Sequence, residues 1–309
     1  MFAQSIHKAS CLTILLLLCG FFASSCSQDD HSVHLSFKYT PGESYVYEMA
    51  DDVTYETTEQ DGAVTRVLHQ QKQKSEIKVL EPDSVQNIYN LLVSFVVVAD
   101  TFVYPDNFEG KKEKTSEELI GRVDKYTLSM RHDGEIVYAK GRNDSATEYY
   151  ESAYKTRQPV FPDKEIQPGY KWKHTIYLSI PDNEPIPVVI KYKFTGFGKV
   201  DEYQCAIIEY FSQFEKSSDM TATKWNEKNQ FREWSAHYKT QSEGKLYFAF
   251  RKGIVAKTVA TISMETEYDI VEKDGTASKF FRKTIDEERL HLVEIKTDSV
   301  SLSNSKIFY

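Results

Sequence analysis

The sequence predicts an all-β protein with a minor α component: two tandem curved antiparallel β-sheet units in a half-open, barrel-like arrangement. Three observations predict it. Apolar and polar residues alternate over long runs, as with Tyr45, Tyr47 and Met49 against Val46, Glu48 and Ala50, and period two assigns each set to one face of a strand. Asp-Gly turns punctuate these runs at Gln60-Asp61-Gly62, His132-Asp133-Gly134 and Lys273-Asp274-Gly275, the pair that tight hairpins favour. Tyr (20) and Phe (18) together outnumber Gly (13) plus Pro (9) in the 309 residues, which excludes disordered and linker-like chains.

The elements follow in order. From Leu35 the text is β, and a strand from about Tyr45 to Glu59 turns at Asp61-Gly62 into a polar return strand, Ala63 to Leu80. Glu81-Pro82-Asp83 breaks it. Asn87 to Val103 carries Leu91-Leu92-Val93-Ser94-Phe95-Val96-Val97-Val98, a β-branched run without helical period that reads as a central strand covered on both faces. Lys125 to Met130 and Glu135 to Tyr138 form a hairpin. The one good helix spans about 144–157: Ser145-x-x-Glu148 fits a capping box, and Ala146, Tyr149, Tyr150, Ala153 and Tyr154 share a face. That face packs on a sheet or lines an apolar hollow.

The second half repeats the first. Pro41-Gly42-Glu43-Ser44-Tyr45 returns as Pro168-Gly169-Tyr170-Lys171-Trp172, and Lys125-Tyr126-Thr127-Leu128 before Gly134 returns as Lys245-Leu246-Tyr247-Phe248 before Gly253. The expected organisation is β unit 1 at 35–142, a linking helix and loop at 143–165, and β unit 2 with a C-terminal hairpin at 166–298. A tail, 299–309, follows. Gly196-Phe197-Gly198 lacks the third glycine of a dinucleotide site and reads as a bend between strands.

Residues 1–25 hold one lysine, no acid, and an apolar run, Leu12 to Phe22, of about half the ~20 residues a membrane helix needs. They read as a secretory signal. Ala23-Ser24-Ser25-Cys26 then resembles a bacterial lipobox, which implies acylation of Cys26 and membrane attachment through that lipid. Ser27-Gln28-Asp29-Asp30, in a tether at 26–34, resembles the export signal of Bacteroidota surface lipoproteins. That implies an outer-membrane anchor facing the cell surface or the periplasm. The Gly-x-x-Tyr/Trp strand openers, Phe161-Pro162 and Gly253-Ile254 resemble an uncharacterised group of β-rich bacterial lipoproteins, which carries no activity with it. A looser likeness is to lipoprotein carriers, whose curved sheets wrap a helix around an apolar hollow.

The formal charge of −8 becomes −9 once Lys8 leaves with the signal, the wrong sign for a phosphate-backbone binder, so no nucleic-acid partner is expected. Cys205 sits in a strand-like run and reads as a small buried hydrophobe.

Signatures for common chemistry are missing: there is no Gly-x-Ser-x-Gly, His-Glu-x-x-His, P-loop or Cys-x-x-Cys, and neither cofactor nor metal is expected. His31-x-x-His34 supplies two ligands where four are usual. Asp286-Glu287-Glu288, beside Arg282, Lys283 and Arg289, reads as a solvated strand face. Trp225, Phe231 and Trp234 are the candidate platform for stacking a sugar, set against ordinary core or cross-strand roles. Ser84, Ser145 and Ser299 each follow Asp and precede an apolar residue, the pattern at which Bacteroidota O-glycosylate exported proteins. The functional expectation is a non-catalytic binding or structural role toward a glycan, lipid or protein. Two alternatives stand beside it: a carrier with an apolar cavity, and a surface glycan hydrolase using paired carboxylates.

Overall fold

The computed structural model describes residues 32–81, 88–104, 113–115, 117, 119–178, 185–221, 231–272 and 274–297. In chain order the elements are β1 (Val33–His34), β2 (Glu43–Thr58), β3 (Val64–Val79), β4 (Ile88–Val103), β5 (Glu113–Thr115), β6 (Val123–Arg131), β7 (Ile136–Lys140), α1 (Asp144–Arg157), β8 (Glu165–Ile166), β9 (Lys171–Leu178), β10 (Ile186–Val200), β11 (Tyr203–Thr221), β12 (Phe231–Ala249), β13 (Ile254–Glu272) and β14 (Ala277–Thr297). The all-β reading with one helix therefore holds.

Twelve strands form one antiparallel sheet, ordered β7-β6-β4-β3-β2-β14-β13-β12-β11-β10-β9, with β5 beside β4. Strands of both expected units lie in this sheet and meet where β14 pairs with β2 from Phe281↔Thr58 to Thr297↔Glu43. The other neighbours on the path are consecutive antiparallel strands, except β4 and β6, between which β5 intervenes in the chain. The sheet is not closed, because β7 and β9 end it without pairing. Helix α1 connects these two edge strands in sequence and packs against both. That is possible only if the sheet curls, so each strand has an inner face toward α1 and an outer face.

The glycines explain the tight corners. Gly62 and Gly275 have φ of 85° and 89°, the left-handed region that Asp-Gly turns require. Gly134 has φ of 98°, and a Cβ there would lie 2.1 Å from the Pro159 carbonyl oxygen, so no larger residue fits.

The inner face is filled at one end by two chain segments that belong to no large strand. Residues 35–40 cross it, bonded by Phe37 N–H to the His132 carbonyl at 2.7 Å and by Lys38 N–H to the Gly253 carbonyl at 3.0 Å. The chain after α1 joins through Phe161 N–H and the Asp133 carbonyl at 2.8 Å, and β1 pairs with β8. Rings of Phe37, Phe161 and Phe248 meet with centroids 4.6–5.4 Å apart. Such pairs contribute about 1 kcal/mol each beyond burial. With Leu35, Tyr45, Met130, Ile166, Phe194 and Ile208 they form the core. This plug ties the β6–β7 and β12–β13 turns together where strand pairing does not.

Three local expectations change. β4 buries Leu91, Val93 and Val97 inward, but Val98 is exposed on the outer face, so β4 is not covered on both faces along its whole length. Gly196 lies inside β10 at a register shift between Phe194 and Gly196, so the glycine pair marks a β-bulge within one strand. The first helical backbone bond runs from Thr147 N–H to the Asn143 carbonyl, which places Asn143 at the cap and Ser145 inside the first turn.

Candidate functional site

Beyond the plug the inner face changes character. Period two on β2 turns Tyr45, Tyr47, Met49, Asp51 and Val53 the same way, and β14 answers with Leu292, Leu290, Glu288 and Asp286, since Met49 faces Leu290, Asp51 faces Glu288 and Val53 faces Asp286. Toward the plug the pairs are apolar. Further along they are acidic.

Asp286 and Glu288 therefore do not form part of a solvated face. Glu288 is 6% exposed, and Arg157, in the last turn of α1, reaches its Oε2 at 3.0 Å. Glu287 alone of the three turns outward, beside Asp52. Alternation splits the triplet between faces, and the helix covers the inner one. Burial pushes the Asp51 carboxyl up to about 7, with the charges of Glu288 and Asp286 adding and Arg157 opposing. Asp286 is also raised, first by burial and then by Glu288. Buried oxygens Asp51 Oδ1 and Asp286 Oδ1 have no hydrogen-bond partner.

The polar belt continues across β3 and β4. Asp100, fully buried, accepts from Gln71 Nε2 at 2.8 Å and lies 2.7 Å from His69 Nε2. His69 stacks on Phe102 with centroids 4.1 Å apart. The belt thus runs from Arg157 through Glu288, Asp51 and Asp286 to His69 and Asp100.

Between this belt, the sheet and α1 lies a cavity of about 300 Å3. Its apolar wall includes Met49, Phe95, Leu246 and Leu290, its tyrosines are Tyr39, Tyr47, Tyr126, Tyr154 and Tyr210, and its polar end holds Asp51, Gln71, Arg157 and Glu288. The Tyr126 hydroxyl donates to that of Tyr154 at 2.5 Å, a second fastening of α1 to the sheet. Burial raises the hydroxyl pKa of Tyr47 and Tyr210, so both stay protonated donors. The arrangement suits a small molecule with an apolar body and a head that donates to carboxylate oxygens. A carboxyl titrating near 7 beside a carboxylate held by arginine is also the raw material of acid–base chemistry.

Other sequence-predicted positions fall elsewhere. His34 lies 3.4 Å from Asp163, while His31 is outside the described residues, as are Cys26, Ser27, Gln28, Asp29, Asp30, Ser84, Trp225 and Ser299. Phe231 and Trp234 belong to β12, at register positions opposite Glu272 and Ile270. Ser145 is in α1. Among the described residues no group of three or more His, Cys, Asp or Glu is placed to hold a metal, and no helix is long and apolar enough to cross a membrane. Sequence reasoning missed Asp51 and Arg157; the only signal was an acid at an inward position of an otherwise apolar alternation.

No family model matches the chain, and no curated protein matches it. Among solved structures it is similar to lipovitellin, in a structure concerned with lipid–protein interactions, at 11% identity and TM-score 0.46 over 84% of this chain and 26% of that one. The chain thus spans about a quarter of the lipovitellin chain. An outer membrane channel from Pseudomonas putida F1 matches at 6% identity and TM-score 0.22, over 82% of this chain and 97% of the channel. An exported protein with a YmcC-like fold from Bacteroides fragilis matches at 10% identity and TM-score 0.18, over 85% and 99%.

Proposed function

We propose that the protein is a lipid-anchored, outer-membrane-associated binding protein that holds a small amphiphile, without transforming it, between α1 and the inner face of the sheet. One observation carries the binding reading: a cavity of about 300 Å3 with an apolar wall and a single charged end, at the lower bound of known ligand pockets. The unpartnered oxygen of Asp51, which lines the cavity, selects a head that donates hydrogen bonds, a hydroxyl or an ammonium. The anchoring reading rests on Ala23-Ser24-Ser25-Cys26 and the acidic residues behind it.

Native mass spectrometry of the full chain with dodecylamine, dodecanol and dodecanoate tests the ligand. Binding of the first two, lost when Ala153→Trp fills the cavity, supports the reading; no adduct with any of the three overturns it. Cys26→Ala tests the anchor separately: the variant is released from membranes if Cys26 carries the lipid, and tight retention removes the anchor without touching the cavity. A hydrolase remains the second reading because Asp51 titrates near neutrality opposite Glu288. It predicts glycan release that disappears in Asp51→Asn.

A further inference from the structure

The outer face of β9 and β10 departs from the charge pattern of the rest of the sheet. Elsewhere on that face several directly opposed residues pair by opposite charge: Arg66 with Glu56 at 2.5 Å, Lys245 with Glu209 at 3.2 Å, Lys279 with Asp269 at 2.6 Å and Lys283 with Glu265 at 3.4 Å; where Glu287 stands opposite Asp52, Arg289 bonds the aspartate. On β9 and β10 the register instead sets Lys171 opposite Lys193 and Lys173 opposite Lys191. Like charges directly across a sheet repel, and all four side chains are exposed. Among the described residues none of the four has an ion pair. Of the acids around them, Glu209, opposite Lys193, is engaged by Lys245, Glu215 lies 2.9 Å from His237 Nε2, and Glu243 shares the groove. Lys191 lies over the Phe211 ring, 5.9 Å from its centroid. A chain of net charge −8 thus gathers four unneutralised cations on one corner of its sheet.

We propose that this corner is a binding site for an acidic oligosaccharide. Lys171, Lys191 and Lys193 line, with Glu209, Phe211 and Lys245, an open groove of about 660 Å3 on the sheet, and Lys173 lines the groove next to it. Neighbouring strands stand ~4.8 Å apart and same-face positions ~6.7 Å apart along a strand, so the four ammonium groups spread over an area that several separated anions fill better than one. A chain of uronate or sulfated sugars supplies such anions. Phe211 offers a ring for a sugar face, and the carboxylate of Glu209 accepts sugar hydroxyls. A saccharide chain can set its hydroxyls against Glu209 and Glu243 and its separated anions against the lysines, whereas an anionic bilayer presents charge continuously across the face and meets both carboxylates as repulsion. The lysines stand on the outer face and the amphiphile cavity on the inner one, with Tyr210 lining both hollows; the proposal does not depend on what the cavity holds.

Calorimetric titration of the full chain in neutral-detergent micelles tests it, with hexagalacturonate as the probe and maltohexaose as its uncharged counterpart. Hexagalacturonate binds, weakens as salt rises, and loses about tenfold in affinity in the Lys173→Ser/Lys193→Ser double variant, whose melting temperature stays level or rises because one member of each opposed pair is gone. Maltohexaose does not bind. Equal affinity for the two sugars, unchanged affinity in the double variant, or no binding of hexagalacturonate overturns the proposal. So does displacement of hexagalacturonate by phosphatidylglycerol doped into the micelles, which would assign the lysines to a lipid surface instead.

Discussion

Arg157 Nη2 lies 3.0 Å from Glu288 Oε2, and this pair joins the end of α1 to the strand in the middle of the sheet. The carboxylate is buried and the guanidinium half exposed. Removing the arginine leaves a buried charge without a partner, whereas removing both leaves none. Arg157→Met should therefore lower stability by about 2–3 kcal/mol, less than the ~3–5 of a fully buried pair, and Arg157→Met/Glu288→Met should recover most of it. Urea unfolding of the two variants measures this. A double variant as unstable as the single one would mean that the helix, not the charge, is what Arg157 supports.

Asp51 sets a pH dependence with a definite sign. Its carboxyl is held at about 7 in the folded chain, chiefly by burial, above the ordinary carboxylate value that the unfolded chain has. Between these two values the folded state binds the additional proton, so stability is highest below the unfolded pKa and falls as pH rises toward 7. Asp286 is raised too and acts in the same direction. Asp51→Asn should flatten the fall and stabilise the protein at pH 8 by about 1–2 kcal/mol, a figure reduced for partial exposure. Thermal melts of wild type and variant from pH 4 to 8 check it, and a wild-type Tm that climbs across that window contradicts the assignment.

Gly134 concentrates the cost of joining plug to sheet. It has φ of 98°, and a Cβ would meet the Pro159 carbonyl at 2.1 Å and Phe37 Cε2 at 2.8 Å. The first neighbour is backbone and the second belongs to the core, so neither yields cheaply. Gly134→Ala should destabilise by about 3 kcal/mol, from left-handed strain and overpacking together, while Gly62→Ala, whose Cβ would touch nothing within 4 Å, should lose only the conformational part, about 1 kcal/mol. Chemical denaturation of the two separates sterics from backbone preference.

Local chemistry explains which features the sequence disclosed. Asp61-Gly62, Asp133-Gly134 and Asp274-Gly275 announced hairpins because φ > 0 has few residue solutions, and the helix announced itself through its period. The site did not, because its members are far apart in the chain: Asp51 and Glu288 face each other only through the β2–β14 pairing, a register that no local pattern encodes. Reading Asp286-Glu287-Glu288 as one solvated face failed for the same reason, since adjacent residues in a strand point to opposite sides. The lysine square was equally hidden: Lys171, Lys173, Lys191 and Lys193 look like ordinary outward positions until β9 and β10 are aligned.

Cys205 should be chemically silent in the folded protein. It is fully buried, its Sγ donates to the Tyr203 carbonyl at 3.6 Å, and burial pushes the thiol up to about 11. The thiolate is the reactive species, so at pH 8 both access and ionisation oppose alkylation. Iodoacetamide labelling followed by peptide mapping should find the Cys205 peptide unmodified in native buffer and fully modified in denaturant. Cys205→Ala should cost about 1 kcal/mol for the lost packing, and Cys205→Ser no less, because a hydroxyl is more expensive to bury than a thiol. Rapid labelling under native conditions would instead mean that β10 and β11 open at Phe194/Gly196, where the bulge already interrupts their ladder.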